Sequence, residues 1–220
     1  MALDKHLTKF IQSNVPSLGD VLTLGRLHLG GTNDFCEEYL KDKLKAFSVE
    51  SIDISWKEEP THCYDLGKDT PHRNLKNKYD TIIDGGTLEH VYNFPNAIQN
   101  VSDMLKLGGY FISSQLLNYT GHGLYTLSPE VLIKACLLNG LEPKCIKIAR
   151  ALGPLKTWFN IPIQTKKRIE ISSISPLMMH FVAQKDVKKL TNVIQSDATI
   201  DAGPVEHFLW NTRLWNQSLK

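Results

Sequence analysis

Two histidines and four acidic or glycine-rich segments carry the residue types that could do chemistry. His122 lies in Asn118-Tyr119-Thr120-Gly121-His122-Gly123-Leu124-Tyr125, where flanking glycines let its ring project from a polar and aromatic loop. An imidazole titrates near neutrality, so it suits proton transfer to or from a ligand. His90 is the second candidate, in Thr87-Leu88-Glu89-His90-Val91. Asp53 ends an apolar run, where its carboxylate can accept two hydrogen bonds from the vicinal hydroxyls of a ribose. Asp65, in Cys63-Tyr64-Asp65-Leu66, can accept a bond from an exocyclic amine while Leu66 packs on a ring. The glycines of Gly25-Arg26-Leu27-His28-Leu29-Gly30-Gly31 and of Asp84-Gly85-Gly86-Thr87 can bring backbone close to a ligand. A helix N-terminus after such a loop adds free N–H groups. Each feature also has an ordinary structural use: Asp53 as a cap or surface acid, Asp65 as a turn residue, the glycines as plain turns, His90 and His122 as loop histidines bonded to backbone.

These residues need strand ends to hold them. Asp20-Val21-Leu22-Thr23-Leu24 reads as a strand closing on Gly25, Ser48–Ile54 as a second, and Tyr79–Asp84 as a buried third. Ala97, Ile98, Val101, Met104 and Leu105 recur at helical spacing after Pro95, and Gly108-Gly109 are expected to stop that helix. Tyr110–Ser114 is a further strand. Ser128-Pro129-Glu130 starts a helix that Asn139-Gly140 end. Lys144–Ala151 and Leu177–Gln184 lack a helix between them and are expected to pair as an antiparallel hairpin at one edge. Asp34 and Glu37 are spaced like a capping box. Leu3, Leu7, Phe10 and Ile11 mark an N-terminal amphipathic helix. Alternating strands and helices imply an α/β fold: a doubly wound, Rossmann-like sheet of seven strands, mostly parallel, with the last two antiparallel.

The domain expectation is an N-terminal helix or lid over residues 1–18, a main domain over 19–185 with an insertion at 151–175, and a tail over 186–220. The tail, with Trp210 and Trp215, is the expected surface for a homodimer. The run Lys166-Lys167-Arg168 reads as a solvated loop.

Composition narrows the class without naming a function. The 220 residues are 42% hydrophobic and 22% charged, enough for a buried core. With 25 basic and 23 acidic residues the formal charge is +2, which gives no footprint for nucleic acid. Cys36, Cys63, Cys136 and Cys145 form no C-x-x-C pair and read as small hydrophobes. No signal-peptide core or bilayer-length apolar segment is read, so the expected location is cytoplasmic, with no membrane partner. There is no P-loop lysine pattern, no nucleophile elbow and no zinc-protease helix, and Glu89-His90 reads as an isolated pair, so no metal is expected.

The order of parts resembles the class I S-adenosylmethionine-dependent methyltransferases over about Val21 to Lys185. Val21-Leu22-Thr23-Leu24-Gly25 resembles the first motif, Tyr79–Ile83 with Thr87-Leu88-Glu89-His90-Val91 resembles the "LEHV" signature of small-molecule members, and Leu105-Lys106-Leu107-Gly108-Gly109-Tyr110 resembles "LKPGG". The "GHG-aromatic…SPE" stretch around His122 is similar to methyltransferases that neighbour bacterial sugar and cell-surface functions. The resemblance implies methyl transfer from S-adenosylmethionine, leaving S-adenosylhomocysteine, to a small polar acceptor such as a sugar or related metabolite. It implies cofactor contacts at Gly25, Arg26, Gly30, Asp53, Ile54, Asp65, Leu66, Asp84, Gly85 and Gly86, with His122 and His90 as acid–base candidates. One departure stands out: Thr23 replaces the acid of the first motif, and Arg26-Leu27 replace its next x-Gly pair. The altered loop makes a catalytically inactive binding or scaffold protein of the same fold the alternative. A nucleotide-dependent oxidoreductase is disfavoured by the missing dinucleotide fingerprint.

Overall fold

A computed structural model describes residues 2–68, 73–119, 121–152, 157–161 and 171–186. The expected C-terminal tail beyond Asp186, its tryptophans, its dimer role and the Lys166-Lys167-Arg168 run lie outside the described residues. Strands β1 (Ala2–Leu3) and β3 (His28–Leu29) pair in parallel as a small separate sheet. The main sheet contains β2 (Asp20–Leu24), β4 (Ser48–Asp53), β5 (His62–Cys63), β6 (Tyr79–Asp84), β7 (Leu105–Leu116), β8 (Leu141–Leu152), β9 (Thr157–Ile161) and β10 (Leu177–Lys185), in the order β5-β4-β2-β6-β7-β10-β8-β9. The first five in that order run parallel, whereas β10 is antiparallel to both β7 and β8.

The sheet is α/β and doubly wound, because its strands bury both faces. Successive residues of a strand point to opposite sides. Leu22, Ile82, Phe111 and Phe181 join one apolar cluster, and Val21, Ile83, Ile112 and Val182 join the other. The first cluster is closed by α3 (Phe94–Met104), through Ala97, Ile98 and Val101, and by α4 (Pro129–Leu138), through Leu132, Ile133 and Cys136. The second is closed by α1 (Lys5–Asn14), through Leu7, Phe10 and Ile11, and by α2 (Glu37–Leu44), through Leu40.

Four expectations need correction. The sheet has eight strands among the described residues, since β9 extends its edge beyond β8 and the two-residue β5 extends the other. The antiparallel partners β8 and β10 do pair, but β10 lies inside the sheet between β7 and β8. The helix α3 stops at Met104, before the glycines, because Leu105 is already paired with Tyr79 in the sheet. Finally, Asp34 is not a cap: α2 begins at Glu37 with Cys36 before it and no side-chain cap bond, and Glu37 instead accepts a bond from Arg26.

Helix α1 starts where its sequence says it should. The Asp4 carboxylate accepts the N–H of Leu7 at 2.7 Å. Its apolar face lies on the sheet, with His6 Nδ1 and His180 Nε2 2.8 Å apart and sharing one hydrogen.

Candidate functional site

The chain runs outward from β2 to β4 and β5, then returns to build β6 and β7 on the other side of β2. The reversal between β2 and β6 opens a crevice beyond their carboxyl ends, where ligands of such sheets bind. A cavity of about 490 Å³ lies there. Its walls come from the end of β4 (Ile52, Asp53, Ile54), the segment after β5 (Tyr64, Asp65, Leu66, Gly67) and the segment after β6 (Thr87, His90, Val91, Tyr92, Asn93), with Leu124 at the rim.

Five residues singled out in the sequence meet on this cavity: Asp53, Ile54, Asp65, Leu66 and His90. Asp53 Oδ1 accepts the N–H of Ser55 at 3.1 Å, and Asp65 Oδ1 accepts that of Gly67 at 2.8 Å. Each turn fixes its carboxylate on the cavity wall. Leu66 is buried while Ile54 stays exposed, so apolar side chains are presented on the cavity as well as carboxylates. The loop carrying Asp65 and Leu66 is held from behind by α3. Asn100 Nδ2 donates to the carbonyls of Leu66 and Lys68 at 2.9 and 2.7 Å, and Asn93 Nδ2 to that of Gly67 at 3.1 Å. Asn100 was missed as a site residue. Its signal was present, because it is a polar residue within the Ala97-Ile98-Val101 stripe of a buried helix face.

The glycine-rich side of the crevice is different. The glycine Gly25 has φ +72° and turns the chain after β2, its N–H donating to the Ile52 carbonyl. The next residues come back over the strand ends. Leu27 is 0% exposed, and a Cβ placed on Gly85 would lie 3.0 Å from one Leu27 methyl and 3.6 Å from the Ala2 carbonyl oxygen. Gly30 donates its N–H to the Leu3 carbonyl, and a Cβ there would meet Asp4 at 2.9 Å. So the close approach at Gly30 and Gly85 is made by the chain itself.

Arg26 is likewise occupied. Its guanidinium donates to Glu37 Oε1 and to the Glu58 carbonyl, both at 2.7 Å, and stacks 3.9 Å above the Phe35 ring. Asp84 faces inward, fully buried, accepting N–H bonds from Gly86, Thr87 and Leu88 and side-chain bonds from Ser113 and Gln115. Burial raises its pKa despite these donors. Asp84, Gly85 and Gly86 shape the β6 turn, where Gly86 has φ +110°, and are not on the cavity wall.

Beside the cavity, three ionisable groups converge. Glu89 Oε1 lies 3.7 Å from His122 Nε2, and the His90 and His122 ring centroids are 5.5 Å apart. The glutamate is buried, its side chain 6% exposed, whereas His122 is 45% exposed. Burial, and then the neighbouring Asp84 carboxylate, push Glu89 up to about 7. Burial first, and then nearby His122, lower His90.

The His122 loop is fastened onto Glu89 by backbone: the Glu89 carbonyl accepts the N–H groups of Leu124 at 2.8 Å and Tyr125 at 3.1 Å. Gly123 makes this possible, since a Cβ there would come within 2.8 Å of Glu89 Cγ and its carbonyl oxygen. Read as part of an isolated pair in the sequence, Glu89 is the group that unites the two histidines.

No protein-family profile and no curated protein matches this sequence. Solved structures do match its fold. The cyclase SpnF aligns at TM-score 0.55 with 13% identity, over 83% of this chain and 80% of its own. A 1,6-didemethyltoxoflavin-N1-methyltransferase from Burkholderia thailandensis, solved with 1,6-didemethyltoxoflavin and S-adenosylhomocysteine bound, aligns at 0.53 with 13% identity, over 82% and 77%. A S-adenosylmethionine-dependent methyltransferase from Archaeoglobus fulgidus aligns at 0.51 with 12% identity, over 82% and 91%. The chain has the fold of the class I S-adenosylmethionine-dependent methyltransferases.

Proposed function

We propose that this chain binds S-adenosylmethionine and transfers its methyl group to a small polar acceptor, a sugar or a related metabolite. The observation that carries the reading is the cavity beyond β4 and β6, which has one carboxylate at each of two walls and apolar side chains between them. That set fits a nucleoside. Asp53 would accept the ribose hydroxyls, Asp65 the exocyclic amine of adenine, and Leu66 and Ile54 would contact the base. The other half of the cofactor meets a different surface. Leu27 fills the space above Gly85, and Arg26 is already paired, so the amino-acid tail needs Leu27 to swing aside.

When bound, the cofactor supplies an electrophilic methyl on a sulfonium. The protein's contribution is then alignment of the acceptor and removal of its proton. His122, exposed beside the cavity, next to buried Glu89 and to the cavity-lining His90, is the group we assign to that proton. The N-terminal residues Ala2–Asp4, lying against the loop at Gly30, serve as the lid of the tail subsite.

A second reading has its own support. The position of Leu27 favours a protein of this fold that holds a nucleoside without transferring a methyl, and the fold alone does not decide between them, since SpnF is a cyclase.

Calorimetric titration with S-adenosylmethionine, S-adenosylhomocysteine, adenosine and NAD separates these possibilities. Methyl transfer requires binding of the first two, weakened at least about tenfold in Asp53→Ala by loss of a charged acceptor. Binding of adenosine alone supports the second reading, and binding of NAD alone contradicts both. In an active preparation His122→Ala should lower kcat by about a hundredfold or more, the usual contribution of a general base, with cofactor affinity unchanged. Full turnover in that variant removes His122 from the mechanism.

A further inference from the structure

Three donor groups of mixed type meet beside the cavity, and His90 is the one of the three that lines it. One oxygen of Glu89 and one ring nitrogen each of His90 and His122 all lie within 4.8 Å of one another. Two imidazoles and one carboxylate are the donor set that first-row transition ions take, with coordination positions left open for water or a ligand. The oxygen-preferring ions Mg²⁺ and Ca²⁺ are poorly matched by two ring nitrogens.

A second observation points to a missing partner. Glu89 Oε2 is buried and has no hydrogen-bond partner among the described residues, although its side chain is 94% withdrawn from solvent. Leaving a buried carboxylate oxygen unsatisfied is costly, and such groups ordinarily have a partner. The neighbouring Gln115 amide favours the charged form of Glu89, but its Nε2 is bonded to Asp84 Oδ2 and Ser113 Oγ.

We propose that Glu89, His90 and His122 form a binding site for one divalent first-row transition ion, next to the cavity that His90 lines. The backbone already provides the frame. Glu89 and His90 are adjacent in the turn after β6, and the third donor is brought in by the Leu124 and Tyr125 N–H groups on the Glu89 carbonyl. Tyr125 Oη also donates to the Tyr92 carbonyl at 2.7 Å, tying the same loop to the segment that follows His90.

Around an ion with bonds of about 2.1 Å, donor atoms sit roughly 3.0–3.4 Å apart, so the cluster must contract. The 3.7 Å between Glu89 and His122 is near that range, and both histidines are exposed enough for their rings to turn. Ligand exchange at the open face would let the ion hold an oxygen of the acceptor and lower its pKa. That role rests on the methyl-transfer reading, and with the ion bound it replaces proton removal by His122, whose ring nitrogen is then a ligand. The site itself does not depend on that reading.

The test is titration of the full chain, without a histidine tag, with Co²⁺, followed by visible absorption and then by competition with Zn²⁺. The site requires uptake of one equivalent, with the d–d bands of nitrogen- and oxygen-ligated Co²⁺. His122→Ala, His90→Ala and Glu89→Gln should each weaken it at least about tenfold, a loss that even outer-shell changes can cause. Because Glu89 is buried, the exposed histidine variants carry the conclusion if Glu89→Gln folds poorly. His62→Gln, which removes the His62–Glu50 pair elsewhere, should leave uptake unchanged.

No stoichiometric uptake overturns the proposal, and so does uptake that survives both histidine substitutions. Metal uptake without S-adenosylmethionine binding would leave the site standing and sink the methyl-transfer reading. Cofactor binding without metal uptake would do the reverse.

Discussion

At the scale of single residues, Leu27, buried against Gly85, separates methyl transfer from nucleoside binding alone. It stands where the first motif of the resembling family has glycine, and its methyls are 3.0 and 3.1 Å from a Cβ built on Gly85. Leu27→Ala should cost about 2–5 kcal/mol of stability, as removal of a buried leucine does. It should also tighten S-adenosylhomocysteine more than adenosine, because only the former carries the tail. Equal changes for the two ligands, measured by calorimetry, would mean that Leu27 does not guard a tail subsite.

Much at this scale was legible in the sequence, and for a physical reason. Asp53 ends a strand that local patterning found, whereas Asp65 follows the two-residue β5 that patterning missed and was singled out by its residue type and by the family resemblance. The uses of Arg26 and Glu89 were not legible. Arg26 bonds to the backbone of Glu58 and Glu89 meets His122, and both contacts close loops more than thirty residues long. Spacing along the chain carries no information about such closures.

At the scale of elements, α3 acts as the shelf under the loop that carries Asp65 and Leu66. Its apolar stripe docks on the sheet, and Asn100 in that stripe reaches the backbone of Leu66 and Lys68. Asn100→Ala removes both bonds and leaves two backbone carbonyls without that donor, at a cost of about 1–3 kcal/mol. The helix should persist, since alanine favours it. Adenosine binding should weaken while far-ultraviolet circular dichroism is retained; unchanged affinity would show that the loop holds its shape without Asn100.

Patterning found β2, β4, β6, β7, β8 and β10, and the apolar runs of β2, β6 and β10, buried on both faces, have the fewest competing readings. The ones it missed, β1, β3, β5 and β9, are short strands whose pairing depends on a single neighbour. Helix α2 was misread at its start because Asp34 is used in the turn: its carbonyl accepts from Leu29 and its N–H donates to Thr32.

At the scale of the whole molecule, two networks set the response to acid. Burial raises Glu50, but bonds from Lys78, Tyr79 and His62 outweigh it and hold the carboxyl down at about 2. That depressed value stabilises the fold above the unfolded pKa of about 4.5 and is lost as pH falls toward 2. His180 acts in the same direction through a different sign of charge. Burial, then the neighbouring His6, lower it to about 3, so the unfolded chain binds its proton first and stability falls as pH drops from about 6.5 toward 3.

Glu89, raised to about 7, opposes both by favouring the fold as pH falls from 7 toward 4.5. The upper step of His180 and the lower step of Glu50 are therefore read as differences in thermal midpoint between the parent protein and a variant at each position. His180→Leu should flatten the upper step and leave the lower one. A profile in which His180→Leu tracks the parent protein across the whole range would remove His180 from this account.

In the proposed complex, S-adenosylmethionine lies beyond the carboxyl ends of the sheet with its nucleoside in the cavity on Asp53 and Asp65. A crystal structure of the chain with S-adenosylhomocysteine tests it most directly. The account requires ribose hydroxyls on Asp53, the adenine amine on Asp65, and Leu27 turned away from Gly85 to admit the tail. A nucleoside seated elsewhere, or a chain saturated with the ligand yet leaving Leu27 against Gly85 and the cavity without adenine, would contradict it.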